Sequence, residues 1–147
     1  MTIDLASYAD MINQAWNSHN IEDVLRFYSP EYVGSDVGQP TPQQGHQGLR
    51  EMLQRYWRAF PDLQFMITDT LIDGSRLAIV WMAKGTHRGP IMNIPPTGRK
   101  VRVKGMSVIR VENGLVISGQ YIWDLAGMLR HLGLLPELQP SERPEAK

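Results

Sequence analysis

The chain has 147 residues, of which 42% are hydrophobic, and it contains no cysteine. This composition suits one folded domain and excludes disulfides, thiolate metal sites and a cysteine nucleophile. Fifteen basic and fifteen acidic residues give a formal net charge of zero, so composition favours neither nucleic acid nor an anionic membrane as a partner.

The sequence shows no pattern typical of a targeting or membrane-spanning segment. Residues 1–10 lack the basic stretch and apolar run of a signal peptide, and no apolar run approaches the roughly 20 residues of a membrane helix. Together with the absence of cysteine, these features lead us to expect a cytoplasmic protein without a membrane partner.

The first 60 residues have the periodicity of helices, with apolar residues recurring at i, i+3, i+4 and i+7. The predicted elements are helices over 4–18, about 21–28 and about 46–60, with a short strand near 31–33 and a loop over 35–45. Asn20 is a suitable N-cap for the second helix, and Pro61 ends the third.

From residue 63 the apolar period changes to two, which predicts strands. The predicted strands span 63–72, 76–87, 101–111 and 115–123, and a short helix from Asp124 to about 132 follows them. Asp73-Gly74 and Asn113-Gly114 are hairpin turn signals. This order predicts an α+β architecture in which helices pack on one face of a curved antiparallel sheet and enclose an apolar cavity. We expect one domain over 1–136 and a flexible tail over 137–147.

Four segments carry a family resemblance: Gly85-Thr-His-Arg-Gly89, Ile94-Pro-Pro-Thr-Gly-Arg99, Tyr121-Ile-Trp-Asp124 and Leu129-Arg-His-Leu-Gly133. In this order and spacing they resemble the SnoaL-like polyketide cyclases of the nuclear transport factor 2-like superfamily. The resemblance extends over about residues 5–136. It implies a cone-shaped α+β barrel that forms a homodimer through the outer face of its sheet.

The resemblance also implies a chemistry. Characterised cyclases of the family close a ring by intramolecular aldol condensation of an aromatic polyketide ester, without a metal or an organic cofactor. One aspartate serves as general acid and base, and Asp124 matches its position. We therefore expect a small hydrophobic substrate, no cofactor and no nucleic-acid partner.

Asp124 is the principal candidate for catalysis. A carboxylate can remove a proton next to a carbonyl and later protonate an alkoxide if an apolar pocket raises its pKa, and Ile122, Trp123 and Leu125 make such surroundings plausible. The alternative interpretation is that Asp124 caps the terminal helix, which its position also suits. His87, at the end of the second long strand, is the second candidate, either as a residue that hydrogen-bonds a substrate carbonyl or pairs with Asp124 across the sheet, or as a histidine at the rim of a loop.

Several apolar and strand residues are candidates for lining the cavity. Four tryptophans and eight methionines can form an adaptable apolar wall, although most aromatics in a domain of this size belong to its core. Alternation places Gln120 and Ile122 on the face that Asp124 would share, and Gly119, Tyr121 and Trp123 on the other. The predicted substrate-binding residues are Trp16, Tyr32, Trp57, Phe60, Met106, Gln120 and Ile122.

Two further patterns suggest no site. The four histidines lack the spacing of metal ligands, so we expect no metal. Arg99, Lys100, Arg102 and Lys104 form a basic cluster whose alternation is typical of a solvated strand face.

Three functional hypotheses follow. The first is an aldol-type cyclase that needs no cofactor. The second is an isomerase, dehydratase or hydrolase that uses the same pocket, with Asp36 or Tyr32 as a conceivable second group. The third is a non-catalytic dimeric module that binds small molecules.

Overall fold

The computed structural model describes residues 4–139 and has α+β architecture, as predicted. The elements in chain order are α1 (Leu5–Ser18), α2 (Ile21–Leu25), β1 (Tyr28–Asp36), β2 (Gln43–Gln44), α3 (Gly45–Ala59), β3 (Gln64–Asp73), β4 (Arg76–Thr86), β5 (Lys100–Glu112), β6 (Leu115–Trp123) and α4 (Leu125–His131). The second helix is shorter than predicted, because Tyr28 already belongs to β1. No helix within 4–139 is long and apolar enough to cross a membrane. Of the predicted tail, residues 140–147 lie outside the described part.

The six strands form one open, curved sheet in the order β2-β1-β6-β5-β4-β3. Strands β3 to β6 form the predicted antiparallel meander, and Gly74 and Gly114 adopt positive φ at its two tight turns. β1 pairs with β6 in parallel, with Gly34 opposite Gly119. Register shifts in β3 and between β5 and β6 are irregularities of the kind that bends a sheet.

Helices α1 and α3 cover the concave face of the sheet, with α1 against β3 and α3 against β1. Side chains of both helices pack there with inward-facing residues of the strands, such as Leu77, Ile79 and Ile109. The exposed edge of β3 is met by Asn17 of α1, which donates to the Phe65 carbonyl at 2.9 Å and accepts from the Phe65 N–H at 2.7 Å. These bonds satisfy backbone groups that an edge strand leaves unpaired, and they fix α1 over the sheet.

Helix α4 covers the edge of β5 beyond the point where β6 ends. The Asp124 N–H donates to the Lys104 carbonyl at 2.9 Å, and the Arg102 N–H donates to His131 Nδ1 at 3.0 Å. Met128 and Leu132 of this segment are buried against Val101 and Val103 of β5. The segment therefore closes one end of the space beneath the curved sheet.

Candidate functional site

A cavity of about 120 Å³ lies between helices α1 and α3 and the concave face of the sheet. Its walls are mainly aliphatic and aromatic, formed by Ala9, Ile12, Phe60, Leu63, Phe65, Ile67, Ile79, Ala83, Val101, Val103, Ile109 and Met128. Side chains with polar atoms complete the lining, namely Asn13, Trp16, Tyr28, Asp36, Tyr56, Trp81, Ser107, Tyr121 and Trp123. A concave apolar site with a few polar groups is the usual form of a small-molecule site.

Asp36, at the end of β1, is the one carboxylate among these lining residues. Its Oδ1 accepts three hydrogen bonds, from the Gly38 N–H at 2.7 Å, Trp123 Nε1 at 2.9 Å and the Tyr56 hydroxyl at 3.1 Å. No described residue donates to Oδ2, so that oxygen has capacity for a ligand proton. Hydrogen bonds to Oδ1 thus fix the orientation of the side chain, and Oδ2 can accept a hydrogen bond or a proton from a ligand.

Burial raises the pKa of Asp36 above its ordinary value, against the opposing effect of the three hydrogen bonds. Burial also raises the pKa of Tyr56 and so keeps that hydroxyl protonated as a donor. Gly38 allows this close packing, because a Cβ there would lie 2.7 Å from both the Trp123 ring and the Tyr56 hydroxyl. A carboxylate with a raised pKa in an apolar site is suited to general acid–base chemistry.

Ser107 supplies a donor in the same cavity. Its Oγ accepts a hydrogen bond of 2.9 Å from Trp81 Nε1, and no described residue accepts the Ser107 hydroxyl proton. The Trp81 ring lies close over Gly105, where a Cβ would come within 2.3 Å of it. The serine is therefore oriented from one side and free to donate on the other.

Three buried tyrosines belong to the cavity or adjoin it: Tyr28 and Tyr121 line it, and Tyr32 lies behind them. Trp16 Nε1 donates to the Tyr28 hydroxyl at 3.1 Å, and the hydroxyls of Tyr32 and Tyr121 are 2.7 Å apart. Burial raises the pKa of each of the three well above its usual range, and the Asp36 carboxylate adds to this effect on Tyr32 and Tyr121. These hydroxyls therefore stay neutral.

Among the residues predicted to bind substrate, Trp16 and Phe60 line the cavity. Tyr32 is fully buried behind the lining, bonded to Tyr121. Trp57 stacks on His19 with ring centroids 4.8 Å apart and does not contribute to the lining. Of the four aromatic residues predicted to bind substrate, two therefore line the cavity and two lie behind its lining.

Asp124 lies outside the cavity, whereas a catalytic role in the pocket would require its side chain to point inward. It is exposed, and its Oδ1 accepts the Gly127 N–H at 2.8 Å as the N-cap of α4. The helix-cap alternative is therefore confirmed. Its backbone leaves the strand geometry at this point, so strand alternation does not determine where its side chain points.

Met106, Gln120 and Ile122 lie on the convex face of the sheet and do not line the cavity. All three are exposed, and Met106 is the Cα partner of Ile122. The alternation predicted for β6 is present, but the two faces are exchanged. Gln120 and Ile122 point to solvent, and Tyr121 and Trp123 point into the cavity. Tyr121 and Trp123 point inward because their larger apolar surfaces gain more from burial.

His87 is fully buried at the end of β4 and does not line the cavity. Its Nδ1 accepts a hydrogen bond of 3.1 Å from the Thr97 N–H, and its own backbone N–H and carbonyl bond to Arg99 and Gly98. Burial lowers the pKa of His87, which favours the neutral ring. The residue fastens the loop between β4 and β5.

No sequence pattern predicts a role for Tyr56 or Ser107, and Asp36 is predicted only as a conceivable second group. Each has an ordinary pattern in the sequence, a tyrosine on a helix, a serine in a strand and an aspartate in a polar loop. Asp36 reaches the cavity through the parallel pairing of β1 with β6, which short-range patterns do not reveal. Within residues 4–139 there is no group of three or more His, Asp or Glu side chains arranged to hold a metal ion.

Comparison with known proteins gives a family match and several structural neighbours. Residues 6–132 match the family model of the SnoaL-like polyketide cyclases. No curated protein matches the chain. TsrD of Streptomyces laurentii is 26% identical, with a TM-score of 0.80 over 91% of this chain and 100% of that one. IdmH of Streptomyces antibioticus, a candidate polyketide cyclase, is 26% identical, with a TM-score of 0.78 over 89% of this chain and 99% of that one.

A third neighbour bears on the fold alone. A Catenulispora acidiphila protein with a ketosteroid isomerase-like fold is 16% identical to this chain. The two superpose with a TM-score of 0.75 over 90% of this chain and 96% of that one.

Proposed function

Because the chain belongs to the SnoaL-like polyketide cyclase family, we propose that it is a cyclase that needs no cofactor and closes a ring in a hydrophobic, polyketide-like carbonyl compound. The observation that carries the proposal is Asp36, the one carboxylate lining an otherwise largely apolar cavity. Similarity to a candidate polyketide cyclase supports the same class of reaction. The proposal moves the catalytic role from Asp124 to Asp36.

Asp36 provides both proton transfers of an intramolecular aldol reaction. Its Oδ2 takes a proton from the carbon next to a substrate carbonyl, and the resulting enolate attacks a second carbonyl of the same molecule. One carbon–carbon bond forms, and the electron pair of the second carbonyl becomes an alkoxide. The protonated Asp36 returns the proton to that alkoxide, so the carboxylate is regenerated.

Two features of the cavity assist these transfers. The Ser107 hydroxyl, oriented by Trp81, donates to the substrate oxygen on which charge develops. The apolar walls hold the substrate folded with its reacting carbons close together, and this positioning supplies much of the rate. Trp16, Phe60 and Ile79 form part of these walls.

The function is tested with an aromatic polyketide ester in deuterated water. We expect enzyme-dependent exchange of the hydrogen next to the ketone, followed by ring closure, both measured by NMR and mass spectrometry. Exchange without ring closure would indicate an isomerase that uses the same enolate. The absence of both reactions across a panel of aromatic and aliphatic esters would contradict the proposal and favour a binding module.

We also propose that two copies of the chain associate through the convex face of the sheet. Met66, Met106 and Ile122 are 55%, 40% and 59% exposed there, so the face presents apolar side chains to solvent. We expect the wild type to form a dimer and Ile122→Glu to be a monomer, because the substitution would bury a charge at a symmetric interface. Light scattering after size exclusion measures the mass.

Met11→Glu is the matched control for the dimer, since Met11 is 51% exposed on α1, on the other side of the sheet. It introduces the same charge in place of a similarly exposed apolar residue and should leave the mass unchanged. A monomeric wild type, or a dimeric Ile122→Glu variant, would contradict the proposed interface.

A further inference from the structure

A cleft of about 380 Å³ beside the C-terminal end of α4 concentrates positive charge. It is lined by Val101, His131, Glu137 and five cationic side chains, Lys84, Arg99, Lys100, Arg102 and Arg130. The ion pairs found within residues 4–139 involve none of these five cations. Since the whole chain has a formal net charge of zero, the charge of this cleft is a local arrangement and not a consequence of composition.

The pairing of β4 with β5 makes this arrangement unfavourable for the free protein. Lys84 and Arg102 are Cα partners on the same face of the sheet, and like charges in directly opposite positions destabilise a sheet. The same strands carry a second pair of opposed cations, Arg76 and Arg110. There Asp73 lies 3.1 Å from Arg76 and offsets the repulsion. In the cleft, Glu137 is the one carboxylate of the lining, and among the described residues it forms no ion pair with Lys84 or Arg102.

The polar side chains on the α4 side of the cleft are hydrogen-bond donors, with Glu137 as the exception. Arg130 and His131 occupy the last helical turn, where the helix dipole favours the cationic Arg130. The Arg99 guanidinium lies against Gly133, where a Cβ would be 3.1 Å from its Cζ. His131 Nδ1 accepts the Arg102 N–H, so the neutral imidazole carries its proton on Nε2 and is a donor there. The helix dipole explains Arg130, but it does not explain Lys84 or Arg102.

We propose that this cleft binds the phosphate groups of a small molecule, either a diphosphate or a phosphate ester. Guanidinium groups match phosphate oxygens with two parallel hydrogen bonds, and three of the five cations are arginines. The cleft is open to solvent, and its space of about 380 Å³ exceeds the ~10–15 Å³ that one water molecule requires, so it has room for more than a single simple ion. Val101 lines both this cleft and the apolar cavity, which places the two sites on opposite sides of β5.

The test is a titration of the full-length protein with inorganic diphosphate and inorganic phosphate in 150 mM salt, followed by calorimetry and by amide NMR. We expect saturable binding, with the largest shifts at Arg102 and Gly133. Arg102→Gln and Arg130→Gln should each weaken the affinity at least about tenfold, in keeping with the loss of one charged phosphate contact. Arg110→Gln is the matched control, because it removes an exposed, cross-strand-paired arginine from the far end of the same sheet face.

Three results would overturn the proposal. One is the absence of saturation at 10 mM diphosphate. Another is an equal loss of affinity in Arg110→Gln, which would indicate unspecific attraction of anions. The third is binding of a single-stranded oligonucleotide without binding of diphosphate, which would indicate an extended surface for nucleic acid. Tighter binding of a phosphate ester than of free phosphate would identify the ester as the source of the group.

Discussion

Asp36→Asn is expected to lower kcat on the order of 10³-fold on any substrate that the enzyme cyclises, the usual magnitude for loss of a general acid–base group. Asparagine keeps the Oδ1 acceptor for Gly38, Tyr56 and Trp123 but has no oxygen that can take a proton. The fold and the substrate affinity should therefore persist while proton transfer fails. Single-turnover kinetics, together with deuterium exchange next to the ketone, measure the step directly.

Asp124→Asn tests whether the acid–base group is Asp36, which lines the cavity, or Asp124, which the sequence suggested. Asparagine is as good an N-cap as aspartate, so α4 should form normally in this variant. If Asp36 is the acid–base group, Asp124→Asn keeps nearly wild-type kcat. If Asp124 is the acid–base group, Asp124→Asn loses activity and Asp36→Asn keeps nearly wild-type kcat. Asp10→Asn, an exposed substitution on α1, is the control for a change of one charge. Equal, large losses in Asp36→Asn and Asp10→Asn would contradict both assignments.

Because burial raises the pKa of Asp36, both kcat/KM and the free energy of unfolding should depend on pH, each in a definite direction. The acid limb of kcat/KM should lie above pH 3.8, because the carboxylate must be ionised to accept a proton. The native state binds the Asp36 proton more tightly than the unfolded state does. The stability gained from that proton is present below the unfolded pKa and is lost as pH rises through the folded pKa.

At neutral pH the Asp36 carboxylate therefore costs stability. Asp36→Asn should raise the free energy of unfolding by about 1 kcal/mol, within the range common for single stabilising substitutions. The difference between variant and wild type should shrink toward pH 4, and chemical denaturation at several pH values measures it. A variant that loses both activity and stability would indicate a structural role for the carboxylate.

The sequence predicted the fold because its signals are local. Asn113-Gly114 identifies a hairpin turn, and helical spacing identifies α1 and α3 within one residue at each end. Family resemblance then supplied the architecture that connects these elements. The parallel pairing of β1 with β6 could not be predicted this way, because it joins segments about 85 residues apart whose patterns are equally compatible with an antiparallel edge.

The site was less predictable because orientation depends on packing. In β6 the sequence separates Tyr121 and Trp123 from Gln120 and Ile122, but periodicity does not state which set faces the helices. Gln120 and Ile122 were predicted to face the cavity because an inward-pointing Asp124 would share their face. Asp124, however, lies one residue beyond the strand and caps α4. A criterion based on buried area would have placed Tyr121 and Trp123 inside, and the indole of Trp123 leads directly to Asp36.

Filling the cavity should abolish turnover without unfolding the protein. Ala9 of α1 lines the cavity and is 1% exposed, so Ala9→Phe places an aromatic ring in the space where the substrate must fold. We expect kcat/KM to fall at least about 100-fold, the loss that misplacement of reacting atoms by about 1 Å can cause. Overpacking should cost about 1–3 kcal/mol of stability, which thermal unfolding measures.

Ala6→Phe is the matched control for Ala9→Phe, because Ala6 lies on the same helix and is exposed to solvent. Both variants carry the same loss of helix propensity, so a difference in activity between them reports on the cavity alone. Full activity in Ala9→Phe would mean that the substrate does not enter this cavity, and the acid–base role of Asp36 would be contradicted with it. Lost activity in Ala9→Phe, with Asp36→Asn unaffected, would keep the cavity as the binding site and return the acid–base role to another group.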